Sequence, residues 1–175
     1  YVHSIKQPND TTLWVSTVGE GIVKVIFDAS TATPTVKSAS RTVIDNGRMA
    51  SNYFFTSYQE NDSILWFGNR GCGAYRMNVE TGEMIPHRFD SIVSSQTAND
   101  IFAIYKNAKG YWLGTSSGLL HLEQDDSLYT KADLFLNNTV HGVLEGHQGD
   151  LWLSTNQGLI RFNPELSLIH ISEPT

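Results

Sequence analysis

Asn99 to Leu122 reads NDIFAIYKNAKGYWLGTSSGLLHL. It parses into three short apolar-rich strands, with Lys106-Asn107-Ala108-Lys109-Gly110 as one tight turn and Ser116-Ser117 as the other. The same stretch recurs at Tyr1–Val25, Asn52–Met77 and Asn138–Phe162. Each copy centres on an apolar-Trp-apolar triplet: Leu13-Trp14-Val15, Leu65-Trp66-Phe67, Tyr111-Trp112-Leu113 and Leu151-Trp152-Leu153. These hold all 4 tryptophans of the chain. A glycine follows each Trp (Gly21, Gly73, Gly118, Gly158) and opens a third strand with a basic residue inside it: Lys24, Arg76, His121 and Arg161. Asn52, Asn99 and Asn138 stand ahead of the other copies; in the first, that Asn would precede Tyr1, so the sequence is expected to begin inside a repeat. A fixed repeat sets the architecture before any single side chain is weighed.

Composition agrees with an all-β chain. There are 14 glycines against 5 prolines, and aromatic residues make up 11% of 175. Charged residues are 17% and the net charge is −6, which argues against nucleic acid as a partner. The single cysteine, Cys72, makes no internal disulfide and leaves the redox compartment open. No apolar run approaches a membrane span and no signal peptide is evident. An exported or membrane-anchored parent would carry those parts outside this sequence. No stretch shows a sustained helical period.

The expected organisation is a partial β-propeller of about four four-stranded blades, at about 1–45, 46–92, 93–137 and 138–165. Strands are expected at residues 1–6, 13–17, 22–27 and 35–38 in the first blade. In the second they are expected at 53–58, around Trp66, around Tyr75 and at 84–89. The fourth blade is expected to be incomplete. Its last stretch, Leu166–Thr175 (LSLIHISEPT), matches the translation of a common transposase-based sequencing adapter; it is set aside as non-native, with His170 and Glu173.

In such a fold one blade cannot bury its faces alone, and a repeated Trp is the natural filler between blades. The four tryptophans are therefore read as packing rather than as sugar-stacking groups. Small residues at one first-strand position (Ser4, Thr56, Ala103, Gly142) suit the crowded inner strands. The basic column Lys24, Arg76, His121, Arg161 is read as capping the blades or pairing with acids.

The pattern Asn99-x-Ile101-x-x-Ile104, Gly110-x-Trp112-Leu113-Gly114-Thr115, Gly118-Leu119 resembles the two-component regulator propeller repeat. Asn138-x-Val140-x-x-Val143, Gly149-x-Leu151-Trp152-Leu153-Ser154-Thr155 and Gly158-Leu159-x-Arg161-Phe162 resemble it again. Tyr1–Asp28 and Asn52–Met77 are looser: the second copy lacks the Gly before Trp66 and has Gly71-Cys72-Gly73-Ala74 for the simpler Gly-Leu. The resemblance implies a seven-bladed parent propeller in the periplasmic sensor region of a Bacteroidetes hybrid two-component system. Such a parent would be a sensor histidine kinase anchored in the inner membrane, expected to be a homodimer. Many members sense oligosaccharides. The chain itself would then bind a ligand without catalysis and without a cofactor, with membrane contact only through the missing parts.

Structural positions repeat, whereas a ligand site on a pseudo-symmetric frame needs unlike residues. The loops joining second and third strands differ most, and Glu20, Asn69, Arg70, Ser116, Ser117, Asn156 and Gln157 lie in them. They are expected to share a rim with the connections that hold Arg48, Ser51, Asn52, Gln96, Asn99, Asn137 and Asn138. Amides and hydroxyls suit sugar hydroxyls, and Arg70 would suit a carboxylate or sulfate. Histidines 3, 87, 121, 141 and 147 show no metal-ligand spacing, and no metal is expected. His3 and His141 share one repeat position, which points to a structural role. Two alternatives remain: a lyase- or lactonase-type propeller enzyme, for which the inner strands offer only His3, His141 and Asp100, or a protein-interaction propeller.

Overall fold

The structure is a computed structural model that describes residues 1–30, 32–44, 52–89, 96–124, 129–135, 137–166 and 168–172. Its strands form four antiparallel meanders of four strands each. The first holds β1 (Val2–Asn9), β2 (Thr12–Thr17), β3 (Ile22–Asp28) and β4 (Thr35–Thr42); the second β5 (Phe54–Gln59), β6 (Ile64–Asn69), β7 (Ala74–Asn78) and β8 (Met84–His87). The third holds β9 (Ile101–Asn107), β10 (Gly110–Thr115), β11 (Gly118–Gln124) and β12 (Tyr129–Phe135); the fourth β13 (Val140–Glu145), β14 (Leu151–Thr155), β15 (Gly158–Asn163) and β16 (Leu168–Ser172). Two features differ from the sequence expectation. A 3-10 turn spans Gln96–Asn99, and the fourth blade is complete rather than three-stranded, because Leu168–Ser172 pairs along β15. The stretch LIHIS has the β-branched, alternating composition of a strand, and the open edge of β15 supplies a ladder for it.

The chain divides into two compact units, Tyr1–Arg88 and Phe89–Thr175, each holding two blades. Within each unit one pattern of packing recurs. Cross-strand register puts each Trp beside the basic residue of the next strand: Trp14 opposite Lys24, Trp66 opposite Arg76, Trp112 opposite His121, Trp152 opposite Arg161. On the opposite face the two middle strands pair apolar or aromatic side chains, as Leu65 with Met77 and Phe67 with Tyr75. In the first unit the Trp14 face meets Phe54, Leu65, Phe67, Tyr75 and Met77 of the second blade in one buried cluster. In the second unit Trp112 and Leu119 meet Val140, Leu151, Leu153, Ile160 and Phe162 of the fourth blade in another. Trp faces therefore pack on apolar faces, head to tail.

The basic column completes the Trp face. Lys24 Nζ lies 5.2 Å from the Trp14 ring, His121 stacks on Trp112 at 4.0 Å and 19°, and the Arg161 guanidinium lies 5.9 Å from Trp152. Arg161 also pairs with Asp150, and Arg76 approaches Glu60 at 3.8 Å. The capping and acid pairing expected of this column are both seen, with the indole ring as the surface that is capped.

Small residues on the second strands have a cause that sequence alone did not reveal. A Cβ at Gly114 would lie 2.6 Å from the Val140 carbonyl oxygen of the next blade's inner strand. Ser16, at the equivalent place, donates to the Thr56 carbonyl at 3.4 Å, and Ser4 and Ser57 hydroxyls meet at 2.6 Å. The recurring Asn also has a defined task. Asn52 accepts from Ile44 N at 2.6 Å and donates to Ile44 O at 3.1 Å, and Asn99, fully buried, accepts from Phe89 N at 2.8 Å. Each pins the chain as it arrives at a new inner strand. At Gly21, φ is 75° and an added Cβ would fall 2.2 Å from the Thr42 carbonyl oxygen, so this turn demands glycine on two grounds.

Candidate functional site

The hairpins β2–β3, β6–β7, β10–β11 and β14–β15 share an end of their blades with the connections entering β5, β9 and β13. In three blades a threonine closes the hairpin. Thr17, Thr115 and Thr155 donate to Gly21 O at 2.7 Å, Gly118 O at 2.9 Å and Gly158 O at 2.9 Å, and accept from Glu20 N, Ser117 N and Gln157 N. This fixed base holds up the variable residues.

In the first unit Glu20 is exposed and pairs with Arg41 of β4. Asn69 is not on the rim: it is 0% exposed, at the end of β6, where the other blades have the closing threonine. Its backbone N–H closes the longer hairpin onto Gly73 O at 2.9 Å. Arg70 is exposed, and among the described residues its guanidinium makes no ion pair or hydrogen bond. The hairpins of both blades are tied to the same incoming segment through Gly19 N to Asn52 O at 3.1 Å and Arg70 N to Tyr53 O at 3.0 Å. Arg48 and Ser51 lie outside the described residues.

The second unit gathers more. Ser116 donates through Oγ to Asp100 Oδ2 at 2.9 Å, and its carbonyl accepts from Thr139 Oγ1 at 3.3 Å. Ser117 and Thr97 hydroxyls are hydrogen-bonded, Asn138 Nδ2 donates to Thr155 Oγ1 at 3.2 Å, and His141 Nε2 lies 2.7 Å from Asn156 Oδ1. Asn156 and Gln157 are exposed; Ser116 and Ser117 are half-buried. The sequence-chosen Ser116, Ser117 and Asn156 thus stand with Thr97 and Thr139, which it passed over, and with Asp100 and His141, which it weighed only for an enzyme at the inner strands. Their signal in the sequence was adjacency to the recurring Asn, since Asp100 and Thr139 follow Asn99 and Asn138 directly. The array offers carboxylate, hydroxyl, amide and imidazole groups side by side, suited to binding a hydroxyl-rich ligand.

At the opposite strand end of this unit lies an open hollow of about 440 Å3 lined by Tyr105, Leu144, Glu145, Gly146, His147 and Trp152. Its carboxylate is already held: Tyr105 OH donates to Glu145 Oε2 and Asn107 Nδ2 to Oε1 at 3.1 Å. Among the described residues no group of three or more His, Cys, Asp or Glu is placed to hold a metal ion, and no helix is long and apolar enough to cross a membrane.

Four-stranded meanders stacked face to face through repeated tryptophans define a β-propeller chain. Residues 135–157, the entry to the fourth blade and its Trp152 hairpin, match the family model described as two component regulator propeller, so the chain carries a repeat of this family. A histidine kinase of Formosa agariphila is 28% identical over 220 aligned residues, which cover 95% of this chain and 16% of that protein. The extracellular domain of a B. thetaiotaomicron protein, described as a hybrid two component system, superposes with a TM-score of 0.75 at 18% identity, over 97% of this chain and 23% of that one. A virginiamycin B lyase from Staphylococcus aureus gives a TM-score of 0.67 at 12% identity, over 99% of this chain and 55% of that one. At such identities these two likenesses show the fold alone. The chain spans less than a quarter of that extracellular domain and less than a fifth of the kinase that it matches.

Proposed function

We propose that this chain is a ligand-sensing propeller segment of a hybrid two-component sensor, working outside the cytoplasm, in the periplasm, and that it recognises an oligosaccharide. The kinase that would read the signal lies outside this chain, the parent works as a homodimer, and this segment performs no catalysis. The observation that carries the reading is the rim of the second unit. There the residues that differ between blades are held together as Asp100–Ser116–Thr139 and His141–Asn156. Beneath them, the closing threonines Thr115 and Thr155 are the same in both blades. An invariant frame under a variable polar array is what a binding scaffold of repeats provides.

Calorimetry of the chain against a panel of plant, fungal and host oligosaccharides tests this. One oligosaccharide family is expected to bind. The double variant Ser116→Ala, Asn156→Ala is expected to abolish the heat without moving the melting temperature. A panel without any heat, or binding untouched by that double variant, removes the rim from consideration. Arg70→Ala is run beside it, because the exposed guanidinium of Arg70, which makes no ion pair among the described residues, suits an acidic sugar.

A further inference from the structure

Each inner strand breaks register with its neighbour at an equivalent place in every blade; β1 has a second break, between Lys6 and Asn9. Val2 pairs with Thr17 and Ser4 with Ser16, which leaves His3 out of the ladder; Phe54 pairs with Asn69 and Thr56 with Gly68, which leaves out Phe55. Ile101 pairs with Thr115 and Ala103 with Gly114, leaving out Phe102; Val140 pairs with Thr155 and Gly142 with Ser154, leaving out His141. The extra residue of a β-bulge loses its ladder partner and has its side chain re-aimed, and bulges concentrate beside binding sites. All four extra residues here are aromatic. They are not core: His3 and His141 are exposed, and Phe55 and Phe102 only half-buried. They meet in pairs across neighbouring blades, His3 with Phe55 at 5.4 Å and 72°, Phe102 with His141 at 5.4 Å and 48°.

The second pair stands inside the polar array already described. Phe102 is two residues from Asp100, and His141 two residues from Thr139 and bonded to Asn156. An aromatic ring face flanked by a carboxylate, hydroxyls and an amide complements a pyranose ring, which has one face of C–H groups and a rim of hydroxyls. Charge narrows the class further. Three cations of this unit are engaged at the opposite strand end: Lys106 over Tyr111, Lys109 with Glu165, Arg161 with Asp150. Asp100 is the carboxylate of the array, so it disfavours uronates and sulfates there while accepting from sugar hydroxyls.

We propose that the bulge aromatics Phe102 and His141 form a stacking platform for one pyranose unit of a neutral oligosaccharide, with Asp100, Ser116 and Asn156 as its hydrogen-bonding edge. This rests on the oligosaccharide reading above and names the sugar class for that same rim.

The test uses the whole chain in calorimetry with neutral tetrasaccharides of gluco, manno and galacto configuration, and with oligogalacturonate of equal length. At least one neutral probe is expected to bind and oligogalacturonate not. Phe102→Leu, which keeps bulk without a ring, is expected to weaken the neutral probe about tenfold, and Phe102→Tyr to retain it. Asp100→Asn is expected to narrow the gap between neutral and acidic probes. Thermal melts of each variant separate lost binding from lost fold. Binding of oligogalacturonate in preference to the neutral probes, or neutral binding unchanged in Phe102→Leu, overturns the platform and leaves the oligosaccharide reading standing. Absence of heat with every saccharide overturns both.

Discussion

A single hydroxyl or a single missing Cβ decides much of this fold. Thr115 is fully buried; it donates to Gly118 O at 2.9 Å and accepts from Ser117 N at 3.0 Å. Thr115→Val keeps the shape and removes both side-chain hydrogen bonds, so it is expected to lower unfolding stability by about 1–3 kcal/mol, measured by urea denaturation. Gly114→Val is expected to cost about 1–3 kcal/mol by overpacking, since its first side-chain atom would stand 2.6 Å from the Val140 carbonyl oxygen of the next blade. Gly82→Ala is not its equal, because nothing lies within 4 Å of that Cβ; only the φ of 74° opposes it. Residue roles were legible where they repeat. The tryptophans, the glycines and the Asn pins were visible as columns. Asn69 misled because one blade departs from its column: it occupies the closing threonine's place while looking like part of a variable loop. Phe102 went unread, and His141 was read only as a structural repeat position and an inner-strand enzyme candidate, for the opposite reason. Their shared property is aromaticity at a bulge, and a bulge exists only in the pairing of two strands.

At the scale of strands, β4 shows how an edge is kept safe. All eight of its residues are exposed, and Lys37 and Arg41 interrupt it with charge. Strand existence was legible throughout, because period-two apolar alternation between turn signals is a local property; strand ends moved by one to four residues, as at β1 and β4. The fourth strand of the last blade was discounted on the origin of its residues, not on their pattern, and their pattern is what pairs. At the end of β8, His87 packs on Trp66 with ring centroids 4.9 Å apart and at 44°. Burial, with the Arg76 charge adding, holds its pKa below the ordinary 6.5. As pH falls through 6.5 the unfolded chain takes up a proton that the folded chain refuses, so this site's contribution to stability is present above that pH and lost below it, until the folded pKa is passed. Denaturation midpoints measured from mildly acid to neutral pH are expected to fall on the acid side, and His87→Gln is expected to flatten that slope. An unchanged slope in the variant would place the effect elsewhere.

For the whole molecule, the fourth blade's Trp face and the first blade's apolar face are less covered among the described residues than their counterparts in the other blades. Trp14, Trp66 and Trp112 are 4%, 2% and 1% exposed, whereas Trp152 is only half-buried and its neighbours Leu144 and Leu159 are 68% and 46% exposed. The complementary face of the first blade (Leu13, Val15, Val23, Val25) is half-buried, although its counterparts Leu65, Phe67, Tyr75 and Met77 are almost fully covered. A Trp face accepts an apolar face twice within this chain, so the fourth blade of one copy is expected to accept the first blade of a second. That contact is heterologous: each copy keeps one free face of either kind, and association grows with concentration instead of stopping at a symmetric pair. Sedimentation velocity of the isolated chain is expected to show mass rising with concentration and a broad melt. The double variant Trp152→Ser, Leu144→Ser is expected to shift it toward monomer while preserving the β-rich circular dichroism spectrum, because both residues lie on the uncovered face and outside the buried cluster of the second unit. A monomer at every concentration in the unaltered chain would show that the uncovered Trp152 face does not act as a blade-accepting surface.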